Sequence, residues 1–148
     1  MLNGLGSAQY LGGDCQAALA SFEKAAEKDA TDPAILNNLA YLCGECGNDS
    51  KRGVGYAVRA VRLAPTVADY YDTLGSLLYL NGDDKNALEM LLRSLKFKPT
   101  ASANYHVAQV LHRQGRKDEA KNYLRTALEL QPFSSLQAKI NALMTELN

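Results

Sequence analysis

The sequence has no net charge: sixteen lysines and arginines are cancelled by sixteen aspartates and glutamates. A neutral surface with both signs interspersed lacks the field that draws nucleic acid or an anionic membrane, so neither is an expected partner. A thickening of basic residues from Arg113 to Arg125 is interrupted by Asp118 and Glu119 and reads as a solvated helix face. No run of about 18 apolar residues occurs, so no membrane-inserted span is expected. The opening Met1-Leu2-Asn3-Gly4-Leu5-Gly6 lacks the basic start and apolar core of a signal peptide, which leaves the compartment open between cytoplasm and periplasm. Cysteine is scarce. Three cannot all pair within one chain, so Cys15, Cys43 and Cys46 are expected as reduced thiols.

Catalytic signatures are missing as well. There is no Gly-rich phosphate loop, no GxSxG and no HExxH, and Gly12-Gly13 follows no strand. Carboxylates are spread along solvent-facing positions, so no catalytic residue is assigned and no enzyme is expected. Cys43-Gly44-Glu45-Cys46 is a CxxC, but a structural zinc site needs four ligands and no second pair stands at suitable spacing. His106 and His112 are six apart, not four, and do not share a helix face. A thioredoxin-like site would need a βαβ context. No metal and no cofactor is expected, and Cys43 is assigned to the core.

What is present is a repeat. The loop pairs Gly13-Asp14, Gly47-Asn48, Gly82-Asp83 and Gly115-Arg116 recur at spacings of 34, 35 and 33 residues. Upstream, a large residue precedes a small one at Leu5-Gly6, Leu39-Ala40, Leu74-Gly75 and Val107-Ala108, with the same spacings. Small residues return at Ala18, Gly53, Ala87 and Ala120, and again at Ala25, Ala60, Ser94 and Ala127. Pro65, Pro99 and Pro132 close three of the units. A small residue at a helix crossing lets two backbones approach. Gly at the loop tip takes positive φ and ends the first helix, and the following Asp or Asn caps the second. Proline then stops the second helix. In 68–80 the set Tyr70, Tyr71, Leu74, Leu77, Leu78 steps by threes and fours, as does Ala87, Leu88, Leu91, Leu92, Leu95 in 85–97. Strand-type alternation is absent.

These residues resemble the tetratricopeptide repeat, which runs aromatic-x₂-Leu-Gly-x₂-Tyr, then Ala-x₃-Phe, then Pro. The third unit fits best, with Tyr71-x₂-Leu74-Gly75-x₂-Leu78, Ala87-x₃-Leu91 and Pro99. The second departs most, with Gly53 for the usual Ala and one extra residue near its loop. The resemblance implies an all-α fold: a right-handed α-α superhelical solenoid of about four helix pairs in one domain. Expected repeats cover 1–32, 33–67, 68–100 and 101–132. A capping helix over 133–148 carries the stripe Phe133, Leu136, Ile140, Leu143, Met144 and Leu147, which covers the final stacking face. Met1 falls inside the first helix, so the expectation is a C-terminal piece of a longer array.

The resemblance also implies function. First helices of successive units line a concave groove that receives a peptide or partner protein. The groove-facing candidates are Asn37, Asn38 and Tyr41; then Asp69, Asp72, Thr73, Ser76 and Tyr79; then Tyr105, His106, Gln109 and His112. Arrays that clamp chaperone C-terminal carboxylates place Lys and Arg where this chain has Asn3, Asp69 and Thr73, so that role is not expected. The runs 36–42, 72–75 and 105–108 are more narrowly similar to bacterial PEP-CTERM system TPR-repeat proteins, implying a scaffold in envelope or exopolysaccharide export assembly. The alternative is a regulatory or substrate-recruiting segment of a longer enzyme such as a glycosyltransferase. Self-association through the N-terminal repeat is a further partner expectation.

Overall fold

A computed structural model describes residues 2–46 and 49–148, with the side chains of Leu2, Asn3 and Leu5 excepted. Met1 and the loop pair Gly47-Asn48 named above lie outside the described residues. Within them the chain is all helix: α1 (Leu2–Leu11), α2 (Cys15–Lys28), α3 (Pro33–Glu45), α4 (Ser50–Leu63), α5 (Ala68–Leu80), α6 (Asp84–Phe97), α7 (Ala101–Arg113), α8 (Lys117–Glu129) and α9 (Ser134–Leu147). Each helix packs on the next. In addition α3 meets α5, α5 meets α7 and α7 meets α9, whereas the even-numbered helices make no comparable contacts with one another. A stack whose odd members crowd together while its even members splay is curved, with the odd helices inside. The result is a solenoid with a concave face built from α3, α5, α7 and α9.

The local signals explain where helices begin and stop. Gly13, Gly82 and Gly115 have φ of 83°, 80° and 76°, the left-handed values that end α1, α5 and α7. The Asp14 and Asp83 carboxylates then accept from the backbone N–H of Ala17 and Asn86. In the second unit the cap is Asp49, which accepts from the Arg52 N–H, rather than the expected Asn48. The extra residue in that loop moves the capping position one step on. Arg116 cannot accept a hydrogen bond, and α8 starts without a side-chain cap.

Close packing explains the large-small pairs. A methyl group on Gly75 would stand 2.5 Å from Leu91 Cγ, and one on Gly6 would stand 2.7 Å from the Phe22 ring. Gly53, which departs from the repeat pattern, is equally required. A Cβ there would meet the Ala40 carbonyl at 3.0 Å, Leu77 Cδ2 at 3.0 Å and Cys43 Cβ at 3.2 Å. The core runs as three clusters along the stack. Phe22, Leu39, Leu42 and Cys43 fill the first interface; Ala40, Ala57, Leu74 and Leu77 the second; Leu91, Val107, Leu111, Leu124 and Ile140 the last.

Three expectations are corrected. Cys15 and Cys46 form a disulfide, with Cα atoms 5.6 Å apart, tying the start of α2 to the end of α3; only Cys43 is free, and it is buried. Counting cysteines overlooked that a 31-residue separation, nearly one repeat, brings these two helix ends together. Phe133 is not part of the capping stripe. It precedes α9 with φ −56° and ψ 153° and is 89% exposed, while Ile140, Leu143 and Leu147 are buried. Arg113 is not a member of a merely solvated face, because it bonds back onto the preceding unit, as described below.

Candidate functional site

The concave face holds a cavity of about 550 Å³. Nine of the twelve residues named from sequence line it: Tyr41 from α3; Asp69, Asp72, Thr73, Ser76 and Tyr79 from α5; Tyr105, His106 and Gln109 from α7. They gather because a repeat of constant period sets the inner helices side by side, so equivalent positions face one concavity. The remaining three sit elsewhere. Asn38 lines a second, smaller cavity with Ser7, Tyr10, Leu11, Phe22, Tyr41 and Leu42. His112 lines a third, between α7 and α9, with its Nε2 3.7 Å from Glu146 and its Nδ1 buried without a hydrogen bond. Asn37 borders none of these cavities, and its Oδ1 is buried without a partner.

Within the groove some side chains are committed to the fold. Thr73 is buried, and its hydroxyl donates to the Asp69 carbonyl; the Ser76 hydroxyl donates to the Thr73 carbonyl. Asp72 joins two units. Its carboxylate accepts from the Ser102 hydroxyl at 2.7 Å and sits 2.7 Å from His106 Nδ1. Burial opposes the charge on both groups, but their mutual attraction and hydrogen bond prevail. The Asp72 carboxyl is held below its ordinary range and the His106 imidazole above its own.

The three tyrosines differ in setting. Tyr41 meets Tyr10 edge to face, with the two hydroxyls 3.0 Å apart. Burial, the Tyr10 hydrogen bond and the Glu45 charge all push its phenol upward. Tyr79 carries the Arg113 guanidinium over its ring, 3.7 Å from the centroid. Tyr105 is half-buried; burial, with the Tyr79 and Glu146 groups, raises its phenol. Four lining residues with chemical consequence were not named from sequence: Glu45 at the end of α3, Leu80 at the end of α5, Ser102 at the start of α7, and Lys139 from α9. Glu45 and Leu80 were recoverable from the repeat register, since both lie one turn past a named groove position. Lys139 was not, because α9 follows the last repeat. Among the described residues, no three His, Cys, Asp or Glu side chains gather into a metal site.

Residues 101–134 match the family model of the tetratricopeptide repeat. No protein of curated function matches the sequence. Among solved structures, MamA superposes with a TM-score of 0.72 at 20% identity, over 99% of this chain and 84% of that one. The first TPR of Spaghetti (RPAP3), bound to the HSP90 peptide SRMEEVD, gives 0.71 at 16% identity, over 77% and 90%. The O-GlcNAc transferase of Thermobaculum terrenum gives 0.74 at 24% identity over 84% of this chain, but only 25% of its own length. At such identities the likeness is one of fold. The chain is a helical-repeat protein. Its fourth unit matches the tetratricopeptide repeat, and the whole is similar in fold to these arrays.

Proposed function

We propose that the chain is an interaction scaffold whose concave groove holds an extended peptide or a helix of a partner protein. The observation that carries this reading is the cavity lined jointly by α3, α5, α7 and α9. Tyr41, Tyr79 and Tyr105 give it aromatic surface, and Ser76 and Gln109 give it hydrogen-bonding groups. Such mixtures are enriched at recognition surfaces. The Spaghetti domain, which has this fold and holds a peptide, supports the same mode of use. An acidic chaperone tail is a poor fit here, for Asp69 stands where a carboxylate clamp needs a cation.

The test is photo-cross-linking in the source cell from the full chain. A benzoylphenylalanine placed at Gln109, on the groove, is compared with one at Arg125, exposed on α8. Partner adducts from Gln109 alone are the expected result. Adducts from Arg125 alone would move the binding surface to the outer face and end this reading.

The finer assignment follows two leads. The similarity of 36–42, 72–75 and 105–108 to PEP-CTERM system repeats supports an envelope or exopolysaccharide export role. The Cys15–Cys46 disulfide suits an oxidising compartment. A second reading, a substrate-recruiting segment of a longer enzyme, is favoured by the transferase likeness. A reading frame that continues into a catalytic domain would decide for it.

A further inference from the structure

The repeat register points to what the partner presents. At the step from the third unit to the fourth, Arg113 in the last turn of α7 reaches back onto α5. Its guanidinium lies on the Tyr79 ring, its Nη2 donates to the Tyr79 carbonyl at 2.7 Å, and its Nε donates to Asp84 at 3.0 Å. One cation thus occupies a ring face, a helix-end carbonyl and a carboxylate together. One unit earlier, the position equivalent to Arg113 is Leu80, by the 33-residue step that relates Val107-Ala108 to Leu74-Gly75. Leu80 is 56% exposed and lines the groove. The helix end it faces, that of α3, has no basic residue in its last turn and holds Glu45 instead.

That arrangement opposes the ordinary electrostatics of a helix. The C-terminal turn of α3 carries the negative end of the helix dipole, where a cation is favoured and a carboxylate is not. The Glu45 and Asp69 carboxylates have no hydrogen-bond or ion-pair partner among the described residues. On the lining, Asp72 is balanced by His106, leaving Lys139 against both. The groove is therefore short of positive charge at the place where the next repeat step supplies an arginine from within the chain.

We infer that the groove takes a partner segment bearing an arginine or lysine, its aliphatic stem on Leu80 and Tyr41 and its cation at Glu45. The inference rests on the groove reading above. A long basic side chain covers exposed apolar surface with its stem while keeping its head on a carboxylate. The charge-assisted hydrogen bond made there is stronger than a neutral one. An acidic segment would meet Glu45 and Asp69 as like charges.

The experiment uses ¹⁵N-labelled full chain and three short peptides: acetyl-Gly-Ser-Arg-Ser-Gly-amide, the same peptide with the neutral isostere citrulline, and the same with Glu. Amide shifts are followed to saturation. The arginine peptide is expected to bind about fivefold more tightly than the citrulline peptide, with shifts centred on 41–45 and 76–80, and Glu45→Gln should erase the preference. Equal or tighter groove binding of the citrulline or Glu peptide would overturn the charge inference and leave the groove reading standing. Shifts confined to other surfaces, or no saturable groove shifts with any peptide, would overturn both. Groove shifts that appear with protein concentration alone would assign the face to a second copy and overturn the inference.

Discussion

His106 Nδ1 lies 2.7 Å from Asp72 Oδ1, a pair separated by 34 residues, so one repeat period of sequence is closed by a single contact across the groove. The pair gives folding a pH dependence. His106 is raised above its ordinary value of 6.5, so its contribution is complete below that value and is lost as pH rises through the raised one. Asp72 is lowered below 3.8, so its contribution is complete above 3.8 and is lost as pH falls through the lowered value. Between 3.8 and 6.5 both act. Lys139 works against the His106 charge and Glu45 works for it, but neither reverses the direction. The thermal midpoint is expected to be higher near pH 5.5 than near pH 8.5, by a few degrees for about 1 kcal/mol. His106→Gln should flatten that difference; an unchanged pH profile in the variant would remove the pair from the account.

Glycines in these helices fall into two kinds, and substitution should separate them by sign. A Cβ at Gly75 meets Leu91 Cγ at 2.5 Å, Leu91 Cδ2 at 2.8 Å and the Ala87 carbonyl at 3.1 Å. The carbonyl is backbone and cannot turn aside. Gly75→Ala is expected to destabilise by about 1–3 kcal/mol through overpacking. Gly55, in α4, has nothing within 4 Å of its Cβ position. There Gly55→Ala removes only backbone freedom, and about 0.5–1 kcal/mol of added stability is expected. Chemical denaturation of both variants measures the pair, and a shared sign would mean that packing is not what selects Gly75.

The same distinction accounts for what the sequence made legible. Loop glycines, capping aspartates and closing prolines act locally, so the expected helix over 68–80 coincides with α5. Groove lining was legible for Ser76 and Gln109 because inner positions recur with the period. Asn37 and Asn38 hold in α3 the positions that Asp72 and Thr73 hold in α5, but one unit earlier, where Asn38 faces α1 rather than the third unit. Lys139 depends on the angle at which α9 crosses α7, which no repeat period encodes. Phe133 matches the apolar stripe by spacing alone. The helix begins one residue later, so the spacing has no geometric meaning there.

The disulfide of Cys15 and Cys46 closes a 31-residue loop across the first two units. In the chain-entropy account, a cross-link of that span stabilises by about 3–4 kcal/mol. Gln16 Nε2, which donates to the Cys46 carbonyl at 3.3 Å, fastens the same two helix ends without a covalent bond. Alkylation of denatured, unreduced protein should therefore label Cys43 alone, and reduction should expose all three thiols. Cys15→Ser is expected to lower the thermal midpoint, and a reducing agent should lower the wild type but not the variant. Labelling of all three thiols before reduction would refute the cross-link.

The clearest division of labour lies at the C-terminal end. Ile140, fully buried, joins Leu111, Leu124 and Val107 in the last cluster, and Leu143 and Leu147 extend that contact along α9. Without α9 this face of α7 and α8 would lie open, and an exposed contiguous apolar patch drives association. Ile140→Ala leaves a cavity and is expected to cost about 2–5 kcal/mol. Phe133, 89% exposed, should tolerate the same truncation within about 0.5 kcal/mol. Deleting 134–148 should give a protein that scatters light at concentrations where the full chain does not. If Phe133→Ala proved as costly as Ile140→Ala, the extended turn before α9 would be part of the cap. If the deletion kept both its thermal midpoint and its solubility, α9 would not be the element that closes the solenoid.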